Sequence, residues 1–159
     1  KYENLLVTGT FSKSRSLAGL RIGFAIGSKA LIDVMEAVKN SYNSYTVDSL
    51  SIEMGAASIE DDEYFKSTCQ KVIETRERVT LELEKLGFDV LDSQTNFIFA
   101  THNEHNMKSL FEYLKTQKVF IRYFSLPRIE NYVRITIGTN EEMDIFLKKT
   151  KEFILNDNR

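Results

Sequence analysis

The stretch that decides the fold is TFSKSRSLAGLRIG, residues 10–23. Apolar runs at residues 5–8 and 21–26 flank its loop-forming part, and both runs predict buried strands. The serine, lysine and glycine content between them predicts a loop over residues 10–19. A lysine in a tight loop between buried strands is partly desolvated, which favours its neutral, nucleophilic amine. The stretch therefore indicates amine chemistry at the end of a buried sheet.

Three side chains in this stretch have complementary chemistry. The amine of Lys13 can form a Schiff base with an aldehyde cofactor. Ser12, beside it, and Arg21, on the following strand, can together hold a phosphate dianion. Gly19 permits a sharp turn, and Gly23 permits a close approach of neighbouring backbone. A Ser-Lys pair alone is more often an ordinary polar loop, because short motifs match by chance. The prediction therefore depends on the whole string.

That whole string resembles the signature of fold-type I pyridoxal-phosphate aminotransferases, and most closely the subgroup of the histidinol-phosphate enzymes. The resemblance implies that Lys13 holds the cofactor as a Schiff base, while Ser12 and Arg21 bind the cofactor phosphate. One position departs from the subgroup, which usually has an aromatic residue two positions after the lysine. This chain has Arg15 there, and we expect the change to affect the loop surface rather than the chemistry.

A second motif, YVRITIG at residues 132–138, alternates in the manner of a strand. Its apolar residues face one side and Arg134 faces the other, where an isolated arginine is usually only solvated. The string resembles the family's C-terminal strand, whose arginine grips the substrate α-carboxylate or its equivalent. Arg122, which ends the predicted strand 119–122, matches an arginine that meets the substrate phosphate in the histidinol-phosphate enzymes. The resemblance implies that both arginines approach one substrate from adjacent strands.

Two weaker candidates remain. Asn96 resembles the asparagine at the start of the corresponding family strand, and its amide can either line the site or simply tie a turn to the strand. The sequence leaves both possibilities open. His102 and His105 suggest a metal site, but zinc sites usually need three or four protein ligands. We therefore predict a solvated loop and no bound metal there.

The rest of the chain alternates between helices and strands. Helices are predicted at residues 28–39, 48–59, 64–86, 106–116 and 141–154, and further strands at 96–100, 119–122 and 132–137. The order after the long helix indicates a small α+β sandwich. Together with the resemblance, this implies an α/β fold class. The end of a large cofactor-binding domain would occupy residues 1–61, and a small C-terminal α+β domain residues 62–159.

Composition narrows the kinds of partner. The 159 residues carry a formal net charge of -2, which provides no broad basic surface for nucleic acid. No apolar run is long enough to cross a bilayer, so we predict no membrane partner. The single cysteine, Cys69, excludes an internal disulfide framework and indicates a reducing, cytoplasmic compartment. We expect the first residue to be a processing or cloning boundary.

The resemblance implies a function as well. It implies transamination with pyridoxal 5'-phosphate, most closely of histidinol phosphate with 2-oxoglutarate as amino acceptor, in histidine biosynthesis. An aromatic or broad-range aminotransferase and a phospho-amino-acid decarboxylase are the alternatives within this chemistry. A non-catalytic α+β fragment is the alternative outside it. The family's subunits are about twice this length and form homodimers, so we expect the isolated chain to be inactive.

Overall fold

A computed structural model describes residues 2–157, and the chain divides into two compact units. The N-terminal unit is Lys1–Thr68 and the C-terminal unit is Cys69–Arg159. The division falls within a long helix, α3 (Asp62–Lys85), at whose first residue we had expected the domain boundary.

The N-terminal unit is a β-hairpin followed by helices. Its strands, β1 (Leu6–Thr10) and β2 (Gly23–Gly27), pair antiparallel, with Thr10 opposite Gly23 at the end nearest the lysine motif. A short 3-10 helix (Ala18–Leu20) lies in the connection between them. The two helices that follow are α1 (Lys29–Tyr42) and α2 (Ser49–Glu60). The motif of residues 10–23 therefore closes a two-stranded hairpin.

The predicted burial of this unit is wrong. Val7 and Ile26 of the strands are 48% and 64% exposed, and Ile52 of α2 is 57% exposed. Only Ser51 and Gly55 of α2 are buried. The physical reason is that a two-stranded sheet and two helices have too little area to cover their own apolar faces.

The starts of the two helices differ in their capping. The Asp48 carboxylate accepts hydrogen bonds from the Ser51 hydroxyl (2.7 Å) and the Ser51 amide (2.9 Å), which lower the pKa of Asp48. This cap therefore stabilises α2 above the ordinary carboxylate pKa and is lost as the pH falls through the lowered value. Ser28 precedes α1, but its hydroxyl donates to the Glu3 carbonyl instead of accepting from the helix.

The C-terminal unit is a four-stranded antiparallel sheet with helices. Along the chain it contains the end of α3, β3 (Phe88–Leu91), β4 (Phe97–His102), α4 (Met107–Thr116), β5 (Arg122–Tyr123), β6 (Val133–Thr136) and α5 (Asn140–Asp157). The strand order in the sheet is β3-β4-β6-β5. The α+β architecture is as predicted, except that β3 was missed and β5 is two residues long instead of four.

One face of this sheet carries the core. Val133, Ile135 and Ile137 of the YVRITIG motif are buried, as the alternation predicted, together with Val79 and Leu83 of α3. Arg134 and Thr136 point to the opposite face. Arg134 is half-buried there and Thr136 is exposed. Each fully buried aliphatic side chain stabilises the unit by about 1.5–3 kcal/mol. The core therefore fixes which side of β6 presents its polar residues.

Gly87 follows the long helix and has a positive φ of 88°. A Cβ at this position would lie 2.8 Å from Nε2 of His102, whose ring contacts the Leu86 carbonyl. We expect Gly87→Ala to lower the free energy of unfolding by about 2 kcal/mol, because backbone strain and the clash act together. Urea denaturation measures the change. Glu84→Ala, one turn earlier on the exposed surface, is the control, and equal losses in both variants would contradict the prediction.

Lys118 adopts a left-handed conformation (φ 60°) just after α4, where glycine is usually preferred. We expect Lys118→Gly to raise the free energy of unfolding by about 1 kcal/mol, because a residue without Cβ adopts this conformation without strain. Lys115→Gly, inside α4, should lower it by about 1 kcal/mol. Thermal unfolding of the two variants gives the comparison, and a lower stability for Lys118→Gly would show the idea to be wrong.

Candidate active site

Lys13 lies in a turn with a well-defined hydrogen-bonded path. The Ser16 amide donates to the Lys13 carbonyl (3.0 Å) and the Leu17 amide donates to the Phe11 carbonyl (3.0 Å). Ser16 has a positive φ of 57°, which reverses the chain. The Lys13 side chain is exposed, and no other group within residues 2–157 forms a hydrogen bond or an ion pair with its amine. The amine is thus held on an ordered turn and is available to a ligand.

Ser12 is oriented by its neighbour Thr10. The Thr10 hydroxyl donates to Ser12 Oγ (2.9 Å), and the Ser12 amide donates back to Thr10 Oγ1 (3.1 Å). Because the Ser12 oxygen accepts from Thr10, its own hydroxyl hydrogen can donate to an outside acceptor. The structure therefore leaves a hydroxyl donor on the residue that precedes Lys13.

Arg21 does not lie on a strand, which corrects the prediction. It follows the 3-10 helix in a left-handed conformation (φ 57°, ψ 33°), and its guanidinium donates to the Ala18 carbonyl at 2.9 Å. The strand begins only at Gly23, where a Cβ would lie 2.9 Å from the Gly9 carbonyl oxygen. A non-glycine residue at positive φ is strained, and such strain is concentrated at functional sites.

Arg15 is also placed differently from our expectation of a loop-surface residue. Its side chain is half-buried, donates to the Ser58 carbonyl and stacks on the Phe65 ring at 3.7 Å. The sequence motif contained no signal for either contact, because both partners lie more than forty positions away.

The two arginines of the C-terminal unit lie directly opposite each other on adjacent strands, on the same face of the sheet. Arg122 of β5 is the register partner of Arg134 of β6, so both side chains emerge on the face opposite the core. Arg122 is exposed and Arg134 is half-buried. Their predicted roles in binding substrate remain predictions, but their position on adjacent strands is as expected.

Aromatic rings surround this pair, an arrangement that the sequence pattern did not predict. The Arg134 guanidinium lies 5.1 Å from the Phe97 ring centroid and 5.8 Å from that of Phe124, while Arg122 lies 5.5 Å from Phe124. Phe99 stacks on Tyr132 at 4.7 Å. Strand alternation could have placed Phe97 and Phe99 on this face, but Phe124 lies beyond the strand. The rings partly desolvate the guanidinium groups.

The electrostatics of the pair are unfavourable in the protein alone. Like charges directly opposite each other on neighbouring strands destabilise a sheet. No carboxylate or other hydrogen-bond acceptor among the described residues engages either guanidinium, and Arg134 Nε is buried without a partner. A buried donor in that state costs about 1–3 kcal/mol. An anionic ligand would offset both costs, so this face is suited to an anion.

Asn96 precedes β4 and is half-buried. Its backbone carbonyl accepts from the Ile137 amide at 2.9 Å, and the preceding Thr95 carbonyl accepts from buried Arg76 at 2.8 Å. The backbone therefore ties the start of β4 to the end of β6. The Asn96 side-chain amide has no hydrogen bond in the part of the chain that the structure describes. It is available to a ligand, and its role stays a prediction.

The histidines are buried, although a solvated loop was predicted for them. His102 and His105 are 5% and 4% exposed. His102 lies at the end of β4, which extends two residues beyond its predicted end at residue 100. Its ring nitrogens contact the Glu104 amide and the Leu86 carbonyl, each at 3.1 Å. Over residues 2–157, no group of three or more His, Cys, Asp or Glu residues could hold a metal ion. None of the helices described in this range is long and apolar enough to cross a membrane.

The fold, the Lys13 turn and the arginine pair of β5 and β6 can be compared with known protein families. The sequence matches the family Aminotransferase class I and II over residues 1–149, and the chain belongs to that family. The predicted family and the α/β fold class are therefore confirmed.

Individual relatives are more specific. The chain is 53% identical over its 159 residues to histidinol-phosphate aminotransferase from Clostridium beijerinckii, and it covers 44% of that protein. It is also 53% identical, over 156 residues, to the enzyme of the same name from Brachyspira hyodysenteriae. That match covers 98% of this chain and 44% of the Brachyspira protein. Its fold matches that of histidinol-phosphate aminotransferase from Sinorhizobium meliloti in complex with pyridoxal-5'-phosphate, with a TM-score of 0.86 and 23% identity over 97% of this chain and 42% of that one. The chain thus spans less than half the length of the curated relatives it matches.

Proposed function

We propose that the protein to which this chain belongs is a pyridoxal-phosphate-dependent aminotransferase that acts on histidinol phosphate, with 2-oxoglutarate as amino acceptor. The observation that carries the substrate class is the pair Arg122 and Arg134, opposite each other and without an acidic partner. The names and identities of the Clostridium and Brachyspira relatives support the same substrate.

The residues of the lysine turn fit the cofactor. A phosphate needs donors, and the hairpin end supplies the Ser12 hydroxyl, free to donate, and the Arg21 guanidinium, of which only one hydrogen bond is used internally. Lys13 supplies an exposed amine without a competing partner. We therefore assign the cofactor phosphate to Ser12 and Arg21 and the covalent attachment to Lys13.

These assignments give the cofactor and the residues of the lysine turn separate roles in the proposed reaction. When bound, the cofactor supplies a conjugated ring that accepts the electron pair left on the substrate α-carbon after proton removal. Lys13 Nζ, once released by the incoming substrate amine, takes the proton from that carbon and returns it as a general acid. Ser12 and Arg21 keep the cofactor in place during this exchange.

Arg134 and Arg122 orient the substrate. The planar guanidinium of Arg134 suits a carboxylate or a phosphate through two parallel hydrogen bonds. Arg122 adds a second positive charge. Two positive charges bind a phosphate dianion more strongly than a singly charged carboxylate. Asn96 is assigned to the same site on its resemblance to the family's asparagine, and its side-chain amide has no hydrogen bond among the described residues.

Two observations also bear on the isolated 159-residue chain. It spans 44% of its curated relatives, and the apolar residues of its N-terminal unit are largely exposed. We infer that the chain alone is a non-catalytic α+β fragment. The full-length protein is proposed to be a cytoplasmic homodimer with amino-acid and 2-oxo-acid substrates and no nucleic-acid or membrane partner.

The proposed substrate is tested by comparing histidinol phosphate with phenylalanine in the full-length protein, with 2-oxoglutarate as acceptor and glutamate formation as the measurement. We expect a kcat/KM at least about a hundredfold higher for the phosphorylated substrate. A preference for phenylalanine would favour an aromatic or broad-range aminotransferase. Release of carbon dioxide from a phosphorylated amino acid, without glutamate formation, would favour a decarboxylase.

A further inference from the structure

We propose that Arg15 is a positioning residue for Lys13, which it serves by fastening the lysine turn to the end of α2 and the beginning of α3. The lysine turn is Lys13–Ser16, and Arg15 is its third residue. The catalytic part of this proposal rests on the proposed function, whereas the fastening of the turn can be tested independently of it.

The first contact is with the end of α2. The Arg15 guanidinium donates to the carbonyl of Ser58, which lies in the last turn of that helix. The last four carbonyls of a helix have no partner within the helix and carry its partial negative charge, so a cation there is doubly favourable. Among the described residues, this is the only hydrogen bond between the lysine turn and α2.

The second contact is with the first turns of α3. The Arg15 guanidinium lies 3.7 Å from the centroid of the Phe65 ring, within the range of a cation–π interaction. A planar guanidinium can donate in its plane to Ser58 while its face rests on the ring. An ammonium group cannot do both in this way. The two contacts hold Arg15 from different helices and therefore restrain the position of its backbone.

This restraint reaches Lys13 through the turn itself. Ser16, the residue after Arg15, donates its amide to the Lys13 carbonyl, and Leu17 donates to the Phe11 carbonyl on the other side of Lys13. The lysine side chain is exposed and has no polar partner of its own in the described range. Its direction is consequently set by the backbone of the turn, which Arg15 fastens.

The fastening is tested by hydrogen–deuterium exchange of the turn amides, especially those of Ser16 and Leu17, in the full-length protein and in the 159-residue chain. We expect exchange about tenfold faster in Arg15→Ala and an intermediate rate in Arg15→Lys. Phe65→Leu removes only the ring contact and should also be intermediate. Lys29→Ala, an exposed cation at the start of α1, is the control and should exchange like the wild type. Equal rates in all variants would overturn the proposal.

The effect on Lys13 is tested in the full-length protein with cofactor bound. We expect Arg15→Ala to lower kcat by about tenfold to a hundredfold with KM unchanged, and to shift the pH midpoint of the cofactor's visible band. Arg15→Lys should restore part of both. Unchanged kcat and midpoint in a variant that binds cofactor would refute the positioning role and leave the proposed function intact. A wild-type protein without the band would refute the proposed function and the catalytic part of this proposal, while the exchange rates would still decide whether Arg15 fastens the turn.

Discussion

Replacing Lys13 by alanine in the full-length protein is expected to lower kcat by at least about a thousandfold, because one amine provides both the covalent attachment and the proton transfer. Cofactor affinity should fall as well, but less, since the proposed phosphate-binding residues Ser12 and Arg21 remain. Steady-state glutamate formation measures the first effect. Titration of the visible cofactor band measures the second.

Two variants give this prediction its controls. Lys13→Arg keeps the positive charge but removes an amine that can be deprotonated, so it should be as inactive as Lys13→Ala. Lys29→Ala removes an exposed lysine whose partner is Asp33 on the same helix, and it should keep full activity. Activity within about tenfold of the wild type in Lys13→Ala would rule out a catalytic role for this residue.

Replacing Arg122 by alanine is expected to lower kcat/KM for histidinol phosphate by about a hundredfold and to leave kcat/KM for phenylalanine nearly unchanged. The reason is that, in the proposed site, a dianionic phosphate needs the second guanidinium, whereas Arg134 alone satisfies a carboxylate. Arg134→Ala should therefore lower kcat/KM for both substrates. Half-reactions with each amino donor separate this effect from the acceptor step.

The matched control is Arg128→Ala, which removes an exposed arginine from the loop between β5 and β6. It should leave both substrates unaffected, because a general loss of positive charge is not the mechanism. Equal losses for histidinol phosphate and phenylalanine in Arg122→Ala would contradict the assignment of Arg122 to the phosphate.

The parts of the fold that could be predicted from the sequence depend on short-range patterns. The alternation of residues 132–137 is enough to separate the buried Val133 and Ile135 from Arg134, because successive strand residues face opposite sides. Gly87 could be assigned as a helix end for a similarly local reason. Strand β3 was missed because its four residues do not alternate cleanly between apolar and polar: the last of them, Leu91, is apolar but exposed.

The parts that could not be predicted depend on distant contacts or on backbone conformation. The stacking of Arg15 on Phe65 joins residues fifty positions apart, and the left-handed conformation of Arg21 opposes its intrinsic preference. His102 is buried because β4 continues two residues beyond its predicted end at residue 100. The exposure of Val7 and Ile26 has a different cause, because an apolar pattern shows that a surface suits burial but does not identify what covers it.

The central claim, that Lys13 carries the cofactor, is tested most directly by reductive trapping. The full-length protein is incubated with pyridoxal 5'-phosphate, reduced with borohydride, digested, and analysed by mass spectrometry to locate the modified lysine. We predict that the pyridoxyl group is found on Lys13, and that it is lost when an amino-acid substrate is added before reduction. Modification of another lysine in place of Lys13, or none under conditions that give a visible cofactor band, would contradict the claim.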